Sequence, residues 1–332
     1  MSDGFWRERS VVVTGGAGFI GRRLVSRLCA DGARVRVLGR YTSRGEADVR
    51  GRLDPSCAEA VEVALLDIAD ARAVREAFRG ADTVFHLAAL IGIPYSYDAP
   101  ASYVGTNVLG TLAVLEAVRE LGIRRLVHTS TSEVYGTART TPITEDHPLQ
   151  GQSPYSASKI AADKLAESYH RSFGVPVVTL RPFNTFGPGQ SPRAVVPTIL
   201  GQLLAGCVEL RIGSLAPRRD LTYVDDTVAG FLAAGSATGL EGEVVHLGSG
   251  ESPSVGELVE LCMQVVGHRA PVRVDPERVR PAASEVEVLL ADPSRALARL
   301  GWSASVTLRD GLERTAESLR HTDLAAVARY AR

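Results

Sequence analysis

The heptapeptide GGAGFIG at residues 15–21 constrains the fold of this chain more than any other segment. It follows directly after residues 10–14, a β-branched run without polar alternation, which predicts a parallel strand covered on both faces. Leu24, Val25 and Leu28 then recur at helical spacing within residues 22–30. A strand, a glycine turn and a helix in this order form the context that a dinucleotide-binding motif requires.

Short apolar runs and helical patterns continue to alternate along the first half of the chain. Further strands are predicted at residues 34–38, 61–65, 83–87, 126–130 and 175–180, and helices at residues 71–79, 106–121 and 154–173. This alternation predicts an α/β fold, a Rossmann-type doubly wound parallel sheet with right-handed crossovers.

A cluster of glycine and proline at residues 187–197 indicates where the chain leaves that sheet. The apolar run at residues 244–247, followed by Gly-Ser-Gly, predicts one more strand that returns to it. The 332 residues are enough for one large unit and a smaller lobe. We therefore predict an NAD(P)-binding domain over residues 1–185, with a return strand near 244–250, and a smaller α/β substrate-binding lobe over residues 186–332.

The amino-acid composition limits the classes of molecule that this chain is expected to bind. The formal net charge is −1 and there is no run of Lys or Arg, which argues against nucleic acid or an anionic membrane surface and favours a small-molecule substrate. The first ten residues carry charges where a signal peptide would be apolar, so we expect a cytoplasmic protein. Four cysteines lie far apart without a C-x-x-C pair, which predicts buried thiols and no metal site.

The glycine turn predicts how a pyrophosphate is held. Glycine lets the backbone approach the phosphates closely, and the N–H groups that begin the helix carry partial positive charge. Contacts are predicted for Gly15, Gly18, Phe19, Ile20 and Gly21.

No carboxylate follows the second strand, where one would hold the ribose hydroxyls of NAD. Arg40, Ser43 and Arg44 stand there instead, and they suit a 2′-phosphate through charge-assisted hydrogen bonds. NADP is therefore the predicted cofactor and NAD the alternative, although a solvated basic loop would give the same sequence. The predicted contacts are completed by Asp67, which a solvated turn would also explain, and by Ile68, Leu87, Ala88 and Ala89.

Tyr155 is the predicted catalytic base, and Lys159 is predicted to stabilise its ionised form. They lie four residues apart, so on a helix they share one face, and the ammonium can stand beside the phenol. Ionising a free phenol at neutral pH costs roughly 4 kcal/mol, which the ammonium helps to supply. Thr131, Ser132 and Glu133 follow an apolar strand, at the sheet edge where ligand crevices form.

These segments together carry a family resemblance. GGAGFIG, HLAA at residues 86–89, TSTSEVYG at 129–136, YSASK from Tyr155 and RPFNTFGPG from Arg181 resemble the extended short-chain dehydrogenase/reductases that modify nucleotide sugars. LIGIPYSY at residues 90–97, QGQSPYSASK at 150–159 and RPAASEVEVLLAD at 280–292 are most similar to nucleotide-sugar 4,6-dehydratases. Within that group they resemble the branch that acts on N-acetylglucosamine nucleotides in legionaminic acid pathways and, more distantly, GDP-mannose 4,6-dehydratase.

The resemblance implies a role for each site residue. Thr131 would bond the sugar 4-hydroxyl, Glu133 would act at C5 and C6, and Tyr155 with Lys159 would serve the oxidation at C4. The diphosphate and nucleoside would be held by Asn184, Arg219 and Arg280. The similar dTDP-glucose 4,6-dehydratases have Asp, their proton donor, where Ser132 stands, so Glu133 would here serve C5 and the C6 hydroxyl as a single shuttle.

Other readings stay open at this point. UDP-uronic acid decarboxylases also carry Thr-Ser-Glu here, 4-epimerases share the family, and a cofactor-sensing protein could keep the fold without the chemistry. His86 is a candidate catalytic residue, but packing at a strand end is the favoured explanation for it. Related enzymes dimerise, so helices 106–121 and 154–173 are predicted to form a homodimer interface.

Overall fold

The computed structural model describes residues 4–278 and 286–322. Its strands are β1 Ser10–Thr14, β2 Arg34–Gly39, β3 Glu62–Leu65, β4 Thr83–His86, β5 Arg125–Thr129, β6 Val177–Pro182, β7 Asn184–Phe186, β8 Leu210–Ile212, β9 Arg218–Arg219, β10 Leu221–Tyr223, β11 Val244–Leu247, β12 Val272–Val274 and β13 Val288–Leu289.

Its α-helices are α1 Phe19–Ala30, α2 Glu46–Arg50, α3 Pro55–Ala58, α4 Ala71–Phe78, α5 Ile93–Asp98, α6 Pro100–Tyr103, α7 Gly110–Leu121, α8 Pro154–Phe173, α9 Val195–Leu204, α10 Val224–Ser236, α11 Val255–Val266, α12 Ser294–Leu300 and α13 Leu308–Arg320. A π-helical turn, Val104–Leu109, precedes α7, and 3₁₀ turns occur at Ser132–Tyr135 and Pro276–Arg278.

Seven strands form the main sheet in the order β11-β6-β5-β4-β1-β2-β3, and every pair in it is parallel. The predicted doubly wound parallel sheet is thereby confirmed. The strand order reverses between β1 and β4, and ligands of such sheets bind at that point, beyond the carboxyl ends of the strands. The glycine turn and the residues that follow β4, β5 and β6 all lie at this edge.

Helices cover both faces of the sheet. α1 and α10 pack on one face, where Leu24, Val25 and Leu28 are completely buried, as their spacing predicts. α4, α7 and α8 cover the other face, with Phe78 and Leu115 in its core. Burial of side chains this large contributes about 2 kcal/mol each, so both layers stabilise the sheet that carries the crevice edge.

The predicted helix at residues 106–121 begins earlier in the structure. By length and composition the stretch Pro100–Leu121 could cross a membrane, the only such helix among the described residues, but half of it is buried inside the protein. Its inner side packs against α4 and α8. An apolar helix of this kind is expected in the core of an α/β fold, where both the sheet and neighbouring helices cover it.

The second lobe has its own core. α9, α11 and α13 pack around Leu200, Met263 and Leu312, beside the parallel pair β8 and β12. The chain also returns to the large sheet. α10 packs on α1 and β11 pairs with β6, and Trp302 after α12 lies in the same core as Leu24 and Leu28 of α1.

Asp220 ties the crossing segments together. Its buried carboxylate accepts hydrogen bonds from Ser249 N (2.7 Å), Ser249 Oγ (2.7 Å), Gly250 N (3.0 Å) and Ala291 N (3.2 Å). Three separate stretches of chain are thus joined at one charge between the two cores.

Candidate active site

The glycine turn packs without room for side chains. Gly15 has φ +70°, and a Cβ there would lie 2.9 Å from the amide nitrogen of Ala88. A Cβ on Gly21 would lie 2.2 Å from the carbonyl oxygen of Gly15. The turn, the first turn of α1 and the segment after β4 are therefore in direct backbone contact, which only glycine permits.

The start of α1 suits an anion. Gly18 is the N-cap and offers no side-chain oxygen, so the first N–H groups, those of Phe19, Ile20 and Gly21, lack a helical acceptor. No acidic residue lies in the first turn to offset the helix dipole. The donors that a dinucleotide pyrophosphate needs are present here.

The loop after β2 is basic and open to solvent. Arg40, Ser43 and Arg44 are all exposed, and the carboxylate of Asp48 is 3.5 Å from the hydroxyl of Thr42. The side chain of Asp67, after β3, accepts from the backbone of Ala69 at 2.9 Å and shapes a turn.

Ile68 is buried in the sheet core, where its side chain faces Gly110 at the start of α7: a Cβ on that glycine would lie 2.7 Å from Ile68 Cγ2.

The segment after β4 is fixed by the hydroxyl of Thr14. That oxygen accepts from Leu87 N (3.1 Å) and Ala88 N (3.0 Å), so its own proton goes to Nδ1 of His86 (2.8 Å). The opposite ring nitrogen of His86 lies 3.1 Å from the hydroxyl of Thr111. Burial lowers the pKa of His86, and the positive charge of Lys159 adds to the effect. His86 is a neutral packing residue with both ring nitrogens bonded.

Tyr155 and Lys159 lie on the same face of α8, as predicted, and both are buried. The ammonium of Lys159 donates to the carbonyl of Thr129 at 2.6 Å, and the hydroxyl of Thr131 favours the ionised form of the Tyr155 phenol. Burial raises the pKa of Tyr155; the Thr131 hydroxyl opposes this rise, and the nearby charge of Glu133 adds to it. Burial lowers the pKa of Lys159 to about 8, and the charge of Asp163 opposes it.

Thr131 and Glu133 begin the 3₁₀ turn after β5. Thr131 is its N-cap, and its Oγ1 accepts from Glu133 N at 3.2 Å. Glu133 is partly exposed toward the crevice edge, whereas Ser132 is buried beneath it. The 3₁₀ turn thus brings a carboxylate within electrostatic reach of the Tyr155 phenol and turns the serine hydroxyl inward.

A buried carboxylate that sequence analysis missed stands behind these residues. Asp163 follows Lys159 by one helical turn and accepts from His128, Ser130 and Arg181. Burial alone would raise the pKa of Asp163, but its bond from His128 and the charge of Arg181 outweigh this and lower the pKa to about 2. The available signal was the i, i+4, i+8 spacing of Tyr155, Lys159 and Asp163 on one helix face.

The predicted substrate-binding residues come from the second half of the chain. Asn184 begins β7 just beyond β6, and its amide nitrogen is buried without a hydrogen-bond acceptor among the described residues. Arg219 lies in β9 and donates to the carbonyl of Arg218 at 2.9 Å. Arg280 lies outside the described residues.

Comparison with known proteins assigns the family. The model of the GDP-mannose 4,6 dehydratase family matches residues 12–315. The chain is 36% identical to the dTDP-glucose 4,6-dehydratase of Streptomyces antibioticus, covering 94% of this chain and 92% of that one. It is 35% identical to the UDP-glucose 4-epimerase of Mycolicibacterium smegmatis, covering 93% and 98%. The chain belongs to the extended short-chain dehydrogenase/reductase family of nucleotide-sugar epimerases and dehydratases.

A solved structure of this family agrees in fold. The UDP-glucuronic acid 4-epimerase of Bacillus cereus, in complex with UDP-glucuronic acid and NAD, superposes with a TM-score of 0.84 at 28% identity. The match covers 94% of this chain and 99% of that one. The comparisons include both epimerases and dehydratases of the family, so the residues of the site itself must distinguish the reactions. Among the described residues, no group of three or more His, Cys, Asp or Glu side chains is arranged to hold a metal.

Proposed function

We propose that this chain is a nucleotide-sugar 4,6-dehydratase, which converts a nucleotide-linked hexose to the 4-keto-6-deoxy sugar and water. The observation that carries the proposal is Glu133, a carboxylate in the same turn as Thr131, whose charge acts on the Tyr155 phenol. A 4-epimerase has no use for a base at this place. A dehydratase needs one, because the hydrogen on C5 becomes acidic once C4 is a ketone.

A nicotinamide dinucleotide fits the crevice edge at the glycine turn and the first turn of α1. When bound, it supplies the transient oxidation, taking the C4 hydrogen with its electron pair and later returning it to C6. Tyr155 accepts the proton of the 4-hydroxyl, which Thr131 orients. Lys159 favours the phenolate through its positive charge, since the burial of Tyr155 opposes ionisation.

Glu133 then removes the proton from C5, and the C6 hydroxyl leaves as water with a proton from the same carboxyl group. Ser132 is buried and has no acidic proton to offer, so one carboxyl group serves both transfers. General-base help of this kind contributes about 10² to 10⁴ in rate. The reduction at C6 is completed by a proton that C5 takes up from solvent, and Tyr155 releases the proton of the 4-hydroxyl to solvent. The atoms then balance: the sugar loses one water, and the cofactor ends the cycle unchanged.

The nucleoside diphosphate is held by donors from the second half of the chain. The unpartnered amide of Asn184 suits a substrate oxygen at the carboxyl end of β6, because a buried donor without an acceptor costs roughly 1 to 3 kcal/mol that a ligand would recover. Arg219, and Arg280 by resemblance, supply positive charge for the phosphates.

The test is a single turnover with a panel of nucleotide sugars deuterated at C4. The expected product is a 4-keto-6-deoxy sugar with deuterium in its C6 methyl group. Glu133→Gln keeps the size and hydrogen bonding of the side chain and removes the base, so oxidation at C4 should persist while elimination falls at least 100-fold. Tyr155→Phe should stop both steps. A product that keeps its C6 hydroxyl would make the chain a 4-epimerase, and loss of carbon dioxide would make it a decarboxylase.

NADP is the proposed cofactor, because the loop after β2 offers Arg40 and Arg44 to a 2′-phosphate and residues 39–45 contain no carboxylate. Dissociation constants for NADP and NAD test this preference. Equal or reversed affinities would contradict it.

A homodimer is proposed through α7, α8 and the π-helical turn before α7. Leu109 in that turn is half exposed, an apolar contact that a two-fold partner would cover. Light scattering at micromolar concentration should give twice the chain mass, and Leu109→Asp should lower it. A monomeric wild type would refute the assembly.

A further inference from the structure

The carboxylate of Asp163 is the most densely bonded acidic group near Tyr155 and Lys159. It accepts from Ser130 Oγ at 2.8 Å, from His128 Nε2 at 3.1 Å and from both Nε and Nη2 of Arg181 at 3.1 and 2.9 Å. Its donors belong to β5, to β6 and to the residue that follows β5. The side chain is only 5% exposed, so water does not compete for these bonds.

These bonds fix the strand end that orients Lys159. His128 and Ser130 flank Thr129, whose carbonyl receives the Lys159 ammonium at 2.6 Å. The Asp163 carboxylate accepts a hydrogen bond from each of these two flanking side chains, and Asp163 lies on the same helix as Lys159. The carboxylate therefore sets the position of the Thr129 carbonyl relative to the ammonium and, two residues further along the chain, that of Thr131.

The negative charge of Asp163 also offsets the positive charges buried around it. Lys159 and Arg181 place two positive charges in this buried region, and Asp163 places one negative charge between β5, β6 and α8. Burial lowers the pKa values of His86 and His128, so both imidazoles are neutral. Burial raises the pKa of Tyr135 to about 12, so its phenol is neutral as well. The ionisable groups that face Asp163 or Lys159 are His86 from β4, His128 from β5, Arg181 from β6, Tyr135 from the 3₁₀ turn and Tyr155 from α8. Glu133 from the 3₁₀ turn faces Tyr155.

We propose that Asp163 is a positioning residue of this site, which keeps the Lys159 ammonium charged and aimed beside Tyr155, with Arg181 holding its carboxylate in place. The proposal rests on the proposed function for the use of that ammonium. It adds a residue that touches neither sugar nor cofactor and acts through Lys159.

The sequence offers a direct measurement. The chain contains two lysines, Lys159 and Lys164, so a protein labelled with ¹³C at lysine Cε gives two resonances that can be titrated without cofactor or substrate. Lys164 lies on the surface and is the internal reference. In the wild type, Lys159 should titrate near pH 8.

Two substitutions should move that titration in opposite directions. Asp163→Asn removes the negative charge, so the pKa of Lys159 should fall by roughly 1. Arg181→Gln removes a positive charge and leaves Asp163 ionised, so the pKa of Lys159 should rise. Ser130→Ala removes one hydrogen bond and no charge, and it should leave the titration in place. A general loosening of the fold would shift both charge variants the same way.

An unchanged Lys159 pKa in Asp163→Asn would overturn the proposal. If that variant does not fold, an unchanged or lowered value in Arg181→Gln would do so. In turnover assays, the high-pH limb of the rate profile should move to lower pH in Asp163→Asn and keep its place in Ser130→Ala. A wild type that oxidises no nucleotide sugar would refute the proposed function and leave the titration result standing on its own.

Discussion

The substitution Gly21→Ala tests the geometry of the glycine turn. The added Cβ would lie 2.2 Å from the carbonyl oxygen of Gly15 and 2.8 Å from Cα of Gly16. Both neighbours are backbone atoms, so the overlap is relieved only if the first turn of α1 moves away by about 1 Å, since ordinary contacts of this kind begin near 3.4 Å.

Overpacking of this size costs about 3 kcal/mol. For a chain of 332 residues, that lowers Tm by roughly 4 °C. The same displacement moves the N–H groups of α1 from the phosphates, so the Kd for the dinucleotide should rise at least tenfold, about 1.4 kcal/mol.

Thermal unfolding and calorimetric titration with NADP⁺ measure the two effects. Gly105→Ala is the matched control, because a Cβ at that helical position meets nothing within 4 Å. It should leave affinity unchanged and stability equal or higher. If Gly21→Ala behaved like Gly105→Ala in both assays, the close packing inferred for the turn would be wrong.

Three further outcomes are expected. Replacing Arg40 and Arg44 together by Ala should weaken NADP binding at least tenfold in calorimetry and change NAD binding little, since only the 2′-phosphate loses its partners. Asp220→Asn should lower the free energy of unfolding in urea by about 3 kcal/mol, because an amide cannot accept from all four donors, whereas the exposed Asp225→Asn should have little effect. The folded pKa of Asp163, about 2, lies below its usual 3.8, so its stabilisation of about 2 kcal/mol should be present above pH 4 and lost as pH falls toward 2. Urea unfolding should therefore find wild type and Asp163→Asn converging in stability over that range.

The sequence predicts the parts of this protein that depend on local order. The β-branched run of β1 and the spacing of Leu24, Val25 and Leu28 are local patterns, and the structure has a strand and a helix at both places. Because parallel strands end at one edge, their order along the chain already assigns the residues after β4, β5 and β6 to one crevice.

What the sequence leaves out are polar groups whose environment is made by distant segments. Asp163 in the stretch AADK reads as a solvated acidic residue, yet its buried state depends on Arg181, eighteen residues further on. The local sequence around Asp220 likewise indicates a turn. Its buried state depends on hydrogen bonds from Ser249 and Ala291, which are distant in the sequence. A carboxylate can be buried only where other groups pair with its charge. Here those groups lie far away in the sequence, so no local sequence pattern predicts the burial.

The junction at Asp220 bears on how such enzymes can be recombined. Residues 228–247 and 296–302 belong to the core of the large sheet, whereas residues 196–224, 258–263 and 312–319 build the other core. A single crossover chimera that transplants the second lobe of a relative would cut through both cores and break the bonds to Asp220. Changes of sugar preference within this architecture are therefore expected to arise by substitution inside the crevice, and laboratory chimeras need several coordinated exchanges to yield a folded hybrid.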